Sequence, residues 1–220
     1  NVPSGSAALG SIGETLRYQL NVNGKWLAQW NSSKLWTATG NSPVISTTVD
    51  ASTANRYDWN VTIPTLPSGS SVIRAFPEDL LLFSNLTPNP PTSTGQTASI
   101  GVNDPYTVGA ISLKEGCEGQ IIWQKNYSAP ADGVVRYIRL VDPTTRAFFT
   151  LDKQTFAYSA YNIDTGNKIW GPVEIPGTDN EFWSATENSW DQGSRSVAYG
   201  NLYSCGFGGI LFCLDATTGQ

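Results

Sequence analysis

The chain has no histidine and no methionine in 220 residues. Without histidine it lacks the commonest general base and metal ligand at neutral pH. Charged residues are scarce, at 14%, against roughly 25% in an ordinary soluble domain. The formal net charge is −5 and basic residues form no cluster. That excludes the electrostatic footprint of a nucleic-acid binder. Three cysteines are too few to staple a disulfide scaffold. No run of 18 apolar residues occurs, so no helical transmembrane span is expected.

Serine, threonine, asparagine, glycine and proline take the place of the missing charges. Proline and glycine interrupt nearly every stretch, and helical periodicity is almost absent. Between the turn clusters lie short runs rich in Val, Ile, Tyr, Phe and Trp, which is the pattern of an all-β chain. Strands are expected near 16–21, 26–30, 44–49, 58–63, 108–113, 120–123, 134–141, 147–151, 156–162, 168–170, 196–199, 202–205 and 210–214. A short helical turn is expected after Pro77, within 75–83. Residues 87–97 read as an exposed, proline-rich insertion. The whole of 1–220 reads as one domain or a fragment of one.

A phrase near the end repeats an earlier one. Tyr161-Asn162-Ile163-Asp164-Thr165-Gly166-Asn167 lines up with Leu214-Asp215-Ala216-Thr217-Thr218-Gly219-Gln220, 53 residues later. The first copy continues into Lys168-Ile169-Trp170. Gly119-Gln120-Ile121-Ile122-Trp123 matches Gly166 through Trp170 at a spacing of 47. Asp50-Ala51-Ser52-Thr53-Ala54, followed by Trp59, and the stretch ending Lys34-Leu35-Trp36 are softer copies. A turn, a hydrophobic strand and a Trp recurring every 45 to 55 residues mark a repeat architecture, in which each unit needs its neighbour to bury its faces.

Tyr199-Gly200-Asn201-Leu202-Tyr203, Gly208-Gly209-Ile210-Leu211-Phe212 and Asp215 through Gly219 resemble the repeat of pyrroloquinoline-quinone-like (PQQ-like) β-propellers. The likeness is strongest over about 145–220. It implies an all-β propeller of four-stranded antiparallel blades. Trp36, Trp59, Trp123 and Trp170 would then pack between blades. Thr165-Gly166 and Thr218-Gly219 would make the tight turn before the last strand. About four such blades fit in this length. Because members of that family run up to eight, a piece of a longer propeller is expected. The edge beside 210–220 is expected to be incomplete and to be finished by other sequence or another chain. Members that bind the quinone use a catalytic Asp, a Ca²⁺ and adjacent cysteines. No two cysteines are adjacent here, so no catalytic residue, metal or cofactor is assigned.

Four Asn-x-Ser/Thr sequons, at Asn31, Asn60, Asn85 and Asn126, favour an exported, glycosylated protein. Asn85 stands beside the proline-rich stretch and is the first choice for occupancy. Cys205 and Cys213 flank a glycine-rich turn. Two readings stand for them: a disulfide across the hairpin, or two buried free thiols. A loop with Glu181, Trp183, Glu187, Trp190 and Asp191 offers aromatic faces and paired carboxylates. Against that stands the plain reading of a polar connection with packed aromatics.

Three functions follow. The leading one is a non-catalytic, extracellular or cell-envelope scaffold or binding module. Its partner would be a protein or a second copy at the incomplete edge, or a glycan. The alternatives are a carbohydrate-binding or carbohydrate-processing propeller using the 181–191 loop, and a fragment of a quinoprotein dehydrogenase.

Overall fold

The computed structural model describes residues 6–8, 16–31, 57–86, 105–132, 134, 136–152, 155–175, 195–205 and 210–220. Among these residues every regular element is a strand. The first sheet holds β1 (Ser6–Ala8), β2 (Leu16–Asn21), β3 (Trp26–Asn31) and β4 (Tyr57–Thr62), in that order. The second holds β5 (Ser71–Phe76), β6 (Leu80–Ser84), β7 (Tyr106–Ser112) and β8 (Ile121–Tyr127). The third holds β9 (Arg136–Asp142), β10 (Ala147–Asp152), β11 (Ala157–Asn162) and β12 (Lys168–Glu174). The fourth holds β13 (Arg195–Ala198), β14 (Asn201–Cys205) and β15 (Leu211–Asp215). Each sheet is a meander in which chain neighbours are sheet neighbours. The chain is therefore all-β and built of β-propeller-type blades.

Burial explains why single meanders are stable here. The middle strands β6, β7 and β10 have buried side chains on both faces, as does β11 up to its last residue. An isolated sheet cannot do this; a sheet covered on both sides does. The last strands β4 and β8 instead alternate between half-buried and exposed.

The chain divides into two compact units: Asn1–Phe83 with Ala110–Ile122, and Ser84–Gly109 with Trp123–Gln220. The second sheet lends strand segments to both. In the first unit, Tyr18, Leu27, Leu81, Phe83 and Ile111 form a core. In the second, Phe149, Leu151, Tyr158, Ala160, Trp170 and Leu202 do so. Each fully buried large side chain among them contributes about 1.5–3 kcal/mol.

The segment 75–83 is a hairpin rather than the expected helical turn. β5 ends at Phe76, the Asp79 N–H donates to the Phe76 carbonyl, and β6 begins at Leu80. Leu80-Leu81-Leu82-Phe83 is buried on both faces, so it shows no alternation. A short apolar run of this kind cannot be told from a helix segment by periodicity. The strand expected at 44–49, the soft repeat at Trp36 and the stretch 87–97 lie outside the described residues.

Candidate functional site

The repeated phrase builds the same turn twice. In the third sheet the Asn162 side-chain oxygen accepts from the N–H groups of Asp164 and Thr165, each at 2.9 Å. In the fourth, Asp215 accepts from the N–H groups of Thr217 and Thr218, each at 2.8 Å. The glycine then closes the turn: Gly166 N–H donates to Asn162 and Gly219 N–H to Asp215, both at 2.8 Å. These are Asx turns, which satisfy backbone donors locally. Hydrogen bonds from the Thr217 hydroxyl and then from the Thr217 and Thr218 N–H groups hold the Asp215 carboxyl below the usual carboxylate range.

Each turn receives a Trp from the sheet before it. Trp123 and Trp170 are both the third residue of the last strand of their sheet. The Trp123 indole N–H donates to the Ile163 carbonyl at 2.8 Å, and the Trp170 indole N–H to the Ala216 carbonyl at 2.9 Å. The rings lie on the glycines. A Cβ on Gly166 would stand 2.5 Å from Trp123, and one on Gly219 would stand 2.7 Å from Trp170. Both glycines have positive φ, 68° and 77°, which a side chain resists. Trp59 is likewise the third residue of β4. It packs on the first core and meets Tyr18 at 5.9 Å. The corresponding Gly119 contacts Val61 instead.

Sequence reasoning missed an aromatic and charged cluster in the second unit. Tyr106 stacks on Tyr127, which meets Tyr161 edge-on, and Tyr161 stacks on Phe148. Arg136 grips Asp152 through two hydrogen bonds, at 2.5 and 2.7 Å. Burial pushes the phenols of Tyr106, Tyr127 and Tyr161 up. The Asp152 pair, against the opposing effect of burial, pushes the Arg136 guanidinium up. No spacing in the sequence signals this cluster, because its members come from five strands.

The sequons differ in access. The Asn31 amide donates to Asp58 at 3.0 Å. Asn85 is half-buried, and its side-chain oxygen accepts the Thr107 N–H at 2.7 Å. Asn60 and Asn126 are exposed, on β4 and β8. Asn126 also accepts from the Thr107 hydroxyl at 2.8 Å. Accessibility thus favours Asn60 and Asn126 over the initial choice of Asn85.

The register of the last hairpin does not place the two cysteines opposite each other. Cys213 faces Tyr203, and Cys205 faces Leu211. The pairing of Cys205 with Leu211 centres the register at position 208, one residue from the midpoint of the two cysteines. Cys213 is a free thiol, and it is exposed rather than buried; Cys117 is also free and exposed. Glu181, Trp183, Glu187, Trp190 and Asp191 lie outside the described residues. Among the described residues no three His, Cys, Asp or Glu side chains gather as a metal site, and no helix is long and apolar enough to cross a membrane.

No protein-family profile matches the chain, and no curated protein matches it in sequence. Among solved structures it is similar to BamB from Moraxella catarrhalis, at 16% identity and a TM-score of 0.40. That alignment covers 93% of this chain and 47% of BamB. It is also similar to the quinohemoprotein alcohol dehydrogenase ADHIIG from Pseudomonas putida HK5, at 10% identity and a TM-score of 0.35. There it covers 95% of this chain and 32% of the other. The chain thus spans less than half the length of either.

Proposed function

We propose that the chain is a non-catalytic β-propeller scaffold, exported to the cell surface or envelope, that works by binding a protein partner. One observation carries the reading: among the described residues, the indoles and carboxylates at the repeat turns are engaged in architecture. Trp123 and Trp170 clamp turns. Asp142 caps the β9–β10 turn through Thr144 and Thr145. Asp152 holds Arg136, Asp164 pairs with Arg146, and Asp215 caps the last turn. The exposed sequons at Asn60 and Asn126 support export and glycan occupancy.

Cross-linking with mass spectrometry on protein from its native source tests this. The expected result is one reproducible protein partner. Saturable, stoichiometric binding of a quinone in the presence of Ca²⁺ would overturn the scaffold reading in favour of the dehydrogenase. The carbohydrate reading depends on Trp183 and Trp190; glycan-array hits lost in Trp183→Ala and Trp190→Ala would establish it instead.

A further inference from the structure

Asn-Gly occurs once in the chain, at Asn23-Gly24. It sits in the turn between β2 and β3, where Asn23, Gly24 and Lys25 are all exposed. The Lys25 N–H closes the turn on the Val22 carbonyl at 3.4 Å. The Lys25 carbonyl then accepts the N–H of Ile63, the residue after β4, at 3.0 Å. The turn thus ties three strands of the first sheet together.

Asparagine is chemically labile, most of all before glycine, which puts no side chain in the way of the reacting nitrogen. Loss of the Gly24 N–H proton to solvent base lets that nitrogen attack Asn23 Cγ. The new C–N bond closes a succinimide ring, and the side-chain nitrogen leaves as ammonia. Water then opens the ring at either carbonyl and leaves aspartate or isoaspartate at position 23. Here the attacking atom is held. The Gly24 N–H donates to the Asn21 side-chain oxygen at 2.6 Å. Asn21 is half-buried at the end of β2 and stands opposite Trp26. The Trp26 indole lies on the same spot: a Cβ on Gly24 would stand 2.7 Å from Trp26 Nε1 and 3.0 Å from Asn21 Cγ. The acceptor retains the proton that must leave, and an ionised Gly24 nitrogen would face the Asn21 oxygen with no proton between them. Asn162, Asp215 and Asp142 hold turn N–H groups in a similar way, but none of those groups follows an asparagine.

We propose that Asn23 is a modification site, a slow deamidation switch in the β2–β3 turn, and that the Asn21 side chain is the brake that sets its rate. The product adds one negative charge to a chain of formal net charge −5. Where isoaspartate forms, it also adds one carbon to the backbone of the turn. Both changes fall beside Lys25, whose carbonyl anchors Ile63. The site stands apart from the scaffold reading, and neither depends on the other.

The test ages the full chain in mildly alkaline buffer. The tryptic peptide Tyr18–Lys25 is then mapped by mass spectrometry, with isoaspartyl methyltransferase and labelled methyl donor as the probe for isoaspartate. Conversion at Asn23 is expected, more slowly than in a free peptide of residues 18–25. Asn21→Ala should speed it about two- to tenfold, the worth of one hydrogen bond. Asn21→Asp keeps an acceptor oxygen, as Asp215 does for its own turn, and should keep the slow rate. Should Asn21→Ala lose the hairpin, hydrogen–deuterium exchange on the unaltered chain decides the matter: the Gly24 amide should exchange more slowly there than in the free peptide. Four results would overturn the proposal. They are no conversion at Asn23 in the folded chain, equal rates in the unaltered chain and Asn21→Ala, Asn21→Asp as fast as Asn21→Ala, or a Gly24 amide exchanging as fast as in the peptide.

Discussion

Gly166→Ala isolates the contact that joins one sheet to the next. Two costs add. Holding Ala at φ 68° costs about 1 kcal/mol. The new methyl would also stand 2.5 and 2.8 Å from two atoms of the Trp123 ring and 2.9 Å from the Tyr127 hydroxyl. Tyr127 is itself fixed by donating to the Gly166 carbonyl at 2.6 Å. Both rings are tethered, Trp123 through its bond to the Ile163 carbonyl and Tyr127 through its bond to Gly166, and overpacking of this kind costs about 1–3 kcal/mol. The total is about 2–4 kcal/mol, a fall in melting temperature of roughly 5–15 °C for a chain of this size.

Gly69 is the control. It has φ 78° and nothing within 4 Å of a built Cβ, so Gly69→Ala should show the backbone cost alone. Thermal and urea denaturation of both variants give the difference. A double-mutant cycle completes it: in a Trp123→Ala background, Gly166→Ala should cost less than in the unaltered protein, keeping the backbone cost and the contact with Tyr127. If Gly166→Ala equals Gly69→Ala in the unaltered background, the indole does not lie on the turn and the blade contact is wrong.

Further outcomes follow from the same geometry. Burial pushes the Tyr18 phenol up to about 12 and raises Tyr106, Tyr127 and Tyr161 as well. The unfolded chain therefore releases these protons first, near pH 10, and stability present below pH 10 should fall as pH rises through that range. Equal urea midpoints at pH 9 and pH 11.5 would contradict this. The two arginine pairs should differ sharply. Asp152→Asn breaks a pair whose side chains are 18% and 13% exposed and should cost about 1.5–3 kcal/mol. Arg146→Ala breaks one at 34% and 46% exposure and should cost under about 1 kcal/mol. Peptide mapping of native-source material is expected to find glycan at Asn60 or Asn126 before Asn85. Glycan on Asn85 alone would show that the Thr107 hydrogen bond does not shield it.

Much of the architecture was legible because the turns carry it. Leu16–Asn21 and Ala147–Asp152 stand within a residue of where composition placed them, since Gly, Asn, Asp and Pro bound them on both sides. The Thr-Gly phrase located the turn, and Trp three positions into the next strand located its clamp. β5 and β6 escaped because Leu80–Ser84 is buried on both faces and its reversal uses Pro77, Glu78 and Asp79 rather than a glycine. Glu78 supplies the positive φ of 60° itself. Of the two readings left open for Cys205 and Cys213, the cross-hairpin one depended on a centre at 209: a hairpin's register depends on turn geometry, and a shift of a single residue in its centre moves every cross-strand partner.

The repeat preserves a geometry more strictly than it preserves residues. Asn162, Asp215 and Asp142 all receive turn N–H groups through a side-chain oxygen. One is an amide and two are carboxylates, and Asp142 serves a different hairpin of its sheet. What the three share is a short side chain whose oxygen reaches the N–H two residues ahead. A carboxylate is tolerated because the donors, not a counter-charge, satisfy it. The same economy appears at the clamps, where one indole N–H and one ring face engage a backbone carbonyl and a glycine. Backbone groups recur at every repeat whatever the side chains become, so contacts addressed to them survive divergence. That is why a chain matching no family profile still reads as blades.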